Sequence, residues 1–248
     1  MRTLVIGDIH GYLGTLEALL EAVAPTASDC LITLGDYVDR GPDSRGVLER
    51  LIALQAQCKL IPLLGNHDEM MLCAINGDPL HSRAWLMFGG LATLASYGLA
   101  LEELQQIPAA HREFLDSCLP WYETDTHLFV HALVDPHKPM AEQDPHILRW
   151  EKLHQPLQHV SGKTLVCGHT RQDEGWPLCW PGVVCLDTGV YEGPGWLSCW
   201  MVESGEVVQA NRHGEIRRGL LAEPPETVLL SRQRRNPKAS ASADADAS

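Results

Sequence analysis

The sequence predicts an α/β protein built on a largely parallel sheet. Three observations carry that prediction. Apolar runs of strand length recur at residues 3–7 (TLVIG), 30–35 (CLITLG) and 59–65 (KLIPLLG). They are apolar throughout rather than alternating, the mark of strands buried on both faces. Helical patterns fill the intervals between them, and each run ends in Gly followed by a polar cluster, just where open α/β sheets bind their ligands.

The elements follow in order. Between the first two strands, Leu13, Leu16, Leu19, Leu20 and Val23 share one face at helical spacing. Between the second and third, Val47, Leu48, Leu51, Ile52 and Leu54 repeat the pattern, after start signals at Pro42 and Asp43-Ser44. Residues 69–120 read as mainly helical, and the pair Gly89-Gly90 predicts a break within residues 85–98. Short runs at 127–131, 163–168, 183–187, 196–202 and 206–210 suit a second sheet, with Gly, Pro and Asn turns between them. One domain is expected over 1–230. The tail 231–248 has no large apolar residue and is expected to be disordered.

Bulk composition narrows the function classes. The chain has 248 residues, 45% apolar and 21% charged, which is ordinary globular usage. Nineteen Lys and Arg against 32 Asp and Glu give a net charge of −13, and that argues against nucleic acid or anionic lipid as a partner. The N-terminal apolar run is too short for a signal peptide, and no stretch approaches the ~20 apolar residues of a membrane span. Eight cysteines without a C-x-x-C pair are read as reduced core thiols of a cytoplasmic protein, with a scattered zinc site as the alternative. The composition leaves the oligomeric state open.

The chemistry-bearing clusters are Gly7-Asp8-Ile9-His10-Gly11, Gly35-Asp36-Tyr37-Val38-Asp39-Arg40-Gly41 and Gly65-Asn66-His67-Asp68, followed by His131-Ala132 and Gly168-His169-Thr170. Carboxylates, imidazoles and one amide make an oxygen/nitrogen set suited to Mn²⁺, Fe or Zn²⁺ rather than to an all-oxygen Ca²⁺ cage.

The blocks GDIHG, GDYVDRG and GNHDE resemble the signature of the calcineurin-like metallophosphoesterases, and more narrowly that of the bacterial and phage-type serine/threonine members of the phosphoprotein phosphatase family. The resemblance implies a central β-sandwich of two mixed sheets flanked by helices in four layers. It also implies two divalent metal ions, Mn²⁺ first and Fe, Zn or Ni as alternatives. Asp8 and His10 match ligands of the first metal, Asp36 the bridging carboxylate, and Asn66, His131 and His169 the ligands of the second. A hydroxide shared by the metals would attack phosphorus directly. His67 matches the general acid, Asp39 the carboxylate that orients it, and Arg40 the phosphate clamp, with Asn66 also near the phosphate. The implied substrate is a phosphoserine or phosphothreonine protein or a small phosphoester. Symmetrical diadenosine tetraphosphate hydrolases resemble the same blocks and give the alternative substrate, and a non-catalytic metal-binding module is the reading from another class.

Gly168-His169-Thr170-Arg171 lacks the second His of related nucleases, which favours phosphomonoesterases. Where relatives often carry Trp-x-Arg, this chain has Leu148-Arg149-Trp150-Glu151-Lys152, so Lys152 holds the phosphate-binding place with Arg149 as its rival. Asp68 and Glu69 are expected to support the turn. The Leu and Met residues of 85–98 are expected in the core. His81, His111, His137, His146, His154, His159 and His213 are expected to be surface or capping residues. Residues 176–180 (WPLCW) read as a loop packed by its own side chains, with base stacking by Trp176 or Trp180 as the alternative.

Overall fold

The structure is a computed structural model that describes residues 1–193 and 195–223. The tail at 231–248 and the domain boundary at 230 lie outside the described residues. Strands β1 (Thr3–Ile6), β2 (Cys30–Thr33) and β3 (Lys59–Pro62) run parallel, joined by helices α1 (Leu13–Val23) and α2 (Ser44–Leu54) as the periodicity predicts. The pleat sorts side chains between two layers. Leu4 and Ile6 face the helices with Leu16, Leu19 and Leu51, while Val5 and Ile32 face the opposite way. Asp43 caps α2 by accepting from Gly46 N at 2.8 Å.

The middle segment is helical as expected: α3 (Asn66–Ile75), α4 (Pro79–Trp85), α5 (Leu91–Tyr97) and α6 (Ala109–Asp116). The break falls at the glycine pair, where a π-helical turn over Leu86–Gly90 is kinked by Gly89 at φ 119°.

A second sheet holds β4 (Trp121–Glu123), β5 (His127–Val130), β6 (Thr164–Cys167), β7 (Leu178–Trp180) and β8 (Val183–Cys185) in the order β4-β5-β6-β8-β7. Its inner face, with Phe129, Val166 and Val184, packs against Val5, Ile32 and Leu34 of the first sheet. Its outer face buries Leu128, Leu165 and Val183 under Leu148 of α7 (Pro145–Trp150) and Leu153. These four layers form the expected two-sheet sandwich.

Three readings are corrected here. The runs at 196–202 and 206–210 do not join the second sheet. Strand β9 (Trp196–Met201) lies antiparallel on β1, followed by β10 (Glu206–Asn211) and β11 (Ile216–Leu220), giving the order β11-β10-β9-β1-β2-β3. Alternation marks a strand but not its partner. The reason is on β1: apolar on both faces, it is a poor edge strand, and β9 covers it. Residues 176–180 are not a self-packed loop: Leu178–Trp180 is strand β7, and Trp176 is no stacking platform. It is 1% exposed between the two sheets, and its Nε1–H donates to Leu221 O at 3.4 Å. His111 and His159 are buried rather than superficial. His111 Nδ1 pairs with Tyr97 Oη at 2.6 Å, and His159 Nε2 with Lys138 O at 2.8 Å. Among the cysteines, Cys179 is exposed and Cys73 half-buried, and the other six are buried. No described helix is long and apolar enough to cross a membrane.

One ion pair ties the start of the sheet together. Asp29 accepts from Arg2 Nη2 at 2.6 Å and Nε at 3.2 Å, from the Arg2 backbone at 3.1 Å, and from Thr26 N at 2.8 Å. The Arg2 guanidinium holds the Asp29 carboxyl well below its usual range. A lowered carboxylate stabilises the fold above its unfolded value of 3.8 and loses that contribution as pH falls. Asp29→Asn should therefore lose about 1–3 kcal/mol in urea melts at pH 7, with the gap to wild type closing below pH 4. Because Arg2 is half-exposed, the lower end is expected.

Candidate active site

The polar clusters at the strand ends meet at one rim, and the backbone pays for the meeting in conformation. His10, Asp36, Asp39, Arg40 and His169 all have positive φ, at 48°, 53°, 75°, 68° and 58°. The only other described non-glycine residue with positive φ is Ala24, at the end of α1. Strain of this kind persists where surrounding contacts fix it, typically at functional sites. Asp68 supplies such contacts. It is fully buried and accepts from Asp36 N at 2.8 Å, Tyr37 N at 3.0 Å and Gly65 N at 3.0 Å, so its supporting role is as expected. A Cβ on Gly65 would collide with Asp36 Oδ1, and one on Gly168 with Asp8 Oδ1. Gly168→Ala should accordingly displace Asp8 and lower Mn²⁺ affinity by about 10–100-fold in metal titrations while leaving the far-ultraviolet circular dichroism intact.

Asp36 sits at the centre. Its Oδ2 lies 3.5 Å from His10 Nε2 and its Oδ1 lies 3.4 Å from His131 Nε2. Oδ1 also accepts from His67 N at 3.0 Å. Burial would raise its pKa, but the surrounding imidazoles of His131, His67, His10 and His169 outweigh it, so the carboxyl titrates far below its usual range. Asp8 accepts from His169 N at 3.2 and 3.1 Å, and burial together with Asp187 and Asp36 raises its pKa.

The imidazole tautomers are fixed by backbone carbonyls, which can only accept. His131 Nδ1 donates to Leu34 O at 2.8 Å, His169 Nε2 to Trp150 O at 3.1 Å, and His10 Nδ1 to Val38 O at 3.1 Å. Burial lowers the pKa of all three, His169 to about 3. Their other ring nitrogens are therefore acceptors, that of His10 facing Arg40 Nη1. Asn66 Oδ1 faces two of them, His131 Nε2 and His169 Nδ1, at 3.0 Å each. Acceptors converging on acceptors, beside the buried carboxylates of Asp8, Asp36 and Asp187, make a donor set that fits cations. Two groups have ligand atoms mutually within 4.8 Å: His10 with Asp36 and His67, and Asp36 with His131 and His169.

His67 differs from the other imidazoles. Its Nδ1 pairs with Asp39 Oδ2 at 2.7 Å. Burial would lower its pKa, but Asp36 and Asp39 outweigh that and raise it. Asp39 is fully buried, and its Oδ1 accepts from Trp85 Nε1 and Thr93 Oγ1, both at 2.8 Å. Arg40 places Nη1 3.0 Å from His10 Nε2 and Nη2 2.9 Å from His67 Nε2. Its guanidinium lies 4.0 Å from the centroid of the Tyr191 ring.

Residues 1–173 match the calcineurin-like phosphoesterase family. The chain belongs to that family. It is 39% identical over 113 residues to a symmetrical bis(5'-nucleosyl)-tetraphosphatase of Acidovorax sp., covering 45% of this chain and 39% of that protein. It is 40% identical over 87 residues to serine/threonine-protein phosphatase 1 of Salmonella typhimurium, covering 35% and 38%. The chain thus spans about two fifths of the length of each of these relatives. A crystal structure of a candidate diadenosine tetraphosphatase shares the fold, with a TM-score of 0.61 at 24% identity over 84% of this chain and 92% of that one.

Within this family member, the two candidates for a second cation separate. Arg149 is tied to Glu69 Oε1 at 2.5 Å, and Trp150 Nε1 donates to Glu69 Oε2 at 2.8 Å. Lys152 is exposed, and its charge acts on both His169 and Asp187. Arg171 makes ion pairs with Asp173 and Glu192. The sequence reading missed Asp187, Tyr191, Trp85 and Thr93. Asp187 carried a usable signal, an Asp directly after a strand run. The other three act through long-range contacts that no local spacing announces.

Proposed function

We propose that this family member is a metal-dependent hydrolase of dinucleoside polyphosphates. The observation that carries this reading is the 113-residue likeness to a symmetrical bis(5'-nucleosyl)-tetraphosphatase. The assignment to phosphoserine and phosphothreonine proteins, first suggested by the motifs, becomes the second reading, supported by the likeness to serine/threonine-protein phosphatase 1. The two ligand groups sharing Asp36 support a catalytic centre over a non-catalytic module.

Asp8, His10 and Asp36 would hold one divalent cation, and Asp36, Asn66, His131 and His169 a second, with Mn²⁺ the first metal to test. When bound, such cations neutralise phosphate oxygens and activate water near neutral pH. Arg40 offers a planar fork, already oriented by Tyr191, that can pair with two phosphate oxygens. Lys152 adds a point charge at the rim. His67 delivers a proton to the departing oxygen, and Asp39 fixes its tautomer through Nδ1. Trp85 and Thr93 hold Asp39 in turn.

The test is hydrolysis of diadenosine tetraphosphate and of a phosphoserine peptide in Mn²⁺. The expected result is a kcat/KM at least about tenfold higher for the dinucleotide, with ADP as sole nucleotide product. ATP plus AMP would contradict symmetrical cleavage, and preference for the peptide would favour the second reading.

A further inference from the structure

A 490 Å³ cavity opens beside the reaction centre, between α3, α4 and α7. Met70, Cys73 and Ala84 contribute its apolar walls, Leu80 and Phe88 stand at it, and Trp150 closes one side. Three features connect it to chemistry. Phe88 lies edge-on to His67, with ring centroids 6.5 Å apart. Trp150 is pinned by its Nε1–H bond to Glu69, and His146 stacks on it at 6.2 Å and 17°. The Trp150 carbonyl in turn holds the His169 ring, so this wall is registered to the site.

Within 85–98, Leu94 is buried and Leu86 packs on the core as expected, but Met87 and Leu91 depart from that expectation, and Leu80 and Phe88 join them at the surface. Leu80 is 75% exposed, Met87 84%, Phe88 52% and Leu91 64%. Apolar side chains this exposed and this clustered mark a binding surface.

We propose that this cavity receives the nucleobase of the leaving nucleotide. The argument rests on the reading above in one respect: His67 protonates the leaving group, so that group must lie on the His67 side, and Phe88 is on that side. The volume falls within the roughly 300–1,000 Å³ of small-ligand sites. Its two aromatic walls, Phe88 and Trp150, suit a planar heterocycle better than an aliphatic side chain. Most polar groups at its wall are already paired, Glu69 with Arg149 and Trp150, and His81 Nδ1 with Asp78, leaving the buried Arg149 Nε as a donor without a partner among the described residues. Recognition is then by stacking and burial, and adenine and guanine should serve alike.

The test uses the full chain with Mn²⁺, p-nitrophenyl phosphate as reporter, and ADP or pyrophosphate as competitor. Wild type should be inhibited about tenfold more strongly by ADP than by pyrophosphate. Phe88→Ala should bring that ratio near one. Ala84→Trp, which fills the cavity at a distance from His67, should do the same, with thermal melts confirming both folds. The readout is a ratio, so a change in turnover common to both competitors leaves it intact. Equal inhibition of wild type by ADP and pyrophosphate would overturn the proposal. So would an ADP advantage that survives both variants, or inhibition by a leucine-flanked phosphoserine peptide in place of ADP. An ADP advantage without cleavage of diadenosine tetraphosphate would instead overturn the substrate assignment and leave the cavity's ligand standing.

Discussion

Asp36→Asn is expected to lower turnover of every phosphoester by on the order of 10³-fold. The side chain is the one that reaches both halves of the site, with Oδ2 toward His10 and Oδ1 toward His131. Asparagine keeps the volume and can still accept from His67 N through Oδ1. It loses the charge that would sit between two cations. The fold should survive, because the substitution also relieves repulsion from the neighbouring buried carboxylates Asp8, Asp68 and Asp187. Because the surrounding imidazoles hold the Asp36 carboxyl far below its usual range, its charge favours the metal-free fold, and a chelated sample should melt somewhat below chelated wild type. Activity within tenfold of wild type would show that Asp36 does not bridge.

His67→Asn should have an effect that depends on the leaving group. Departure of a serine alkoxide needs a proton, so phosphoserine peptide should lose about 10²–10⁴-fold in kcat. p-Nitrophenolate leaves readily without one, and its loss should be within about tenfold. The logic lies in the Asp39–His67 pair, with a 2.7 Å bond at Nδ1 and the other nitrogen facing the site. Equal losses on both substrates would assign His67 to positioning Arg40, whose Nη2 is 2.9 Å away.

Much of the site was legible because its residues follow strands directly. In a sheet whose strands run parallel, their carboxyl ends share one rim, so Asp8, Asp36 and Asn66 had to be neighbours once β1, β2 and β3 were recognised. His131 after β5 and His169 after β6 follow the same rule in the second sheet. What escaped depends on partners distant in sequence. Trp85 and Thr93 reach Asp39 across 46 and 54 residues. Tyr191 meets Arg40 only because the loop after β8 folds over the rim. The glycine pair 89–90 was read as a helix break, but its further use is tertiary. Arg40 N donates to Gly89 O at 3.3 Å, and a Cβ on Gly89 would press on Arg40. β9 was recognisable as a strand, yet its place beside β1 follows from covering an apolar edge rather than from its own pattern.

The charge balance also reads differently with the site in view. A net charge of −13 includes Asp8, Asp36 and Asp187, which are buried at the site rather than spread over the surface. Two divalent ions together with Arg40 and Lys152 would make a local positive field within an acidic body.

Titration of chelated protein with Mn²⁺, followed by calorimetry and by turnover of diadenosine tetraphosphate, tests the two-cation site directly. The predicted result is two equivalents bound per wild-type chain, activity rising with the second, and no more than one tight equivalent in Asp36→Asn. Full activity in the chelated protein, or the same two tight equivalents in Asp36→Asn, would contradict it.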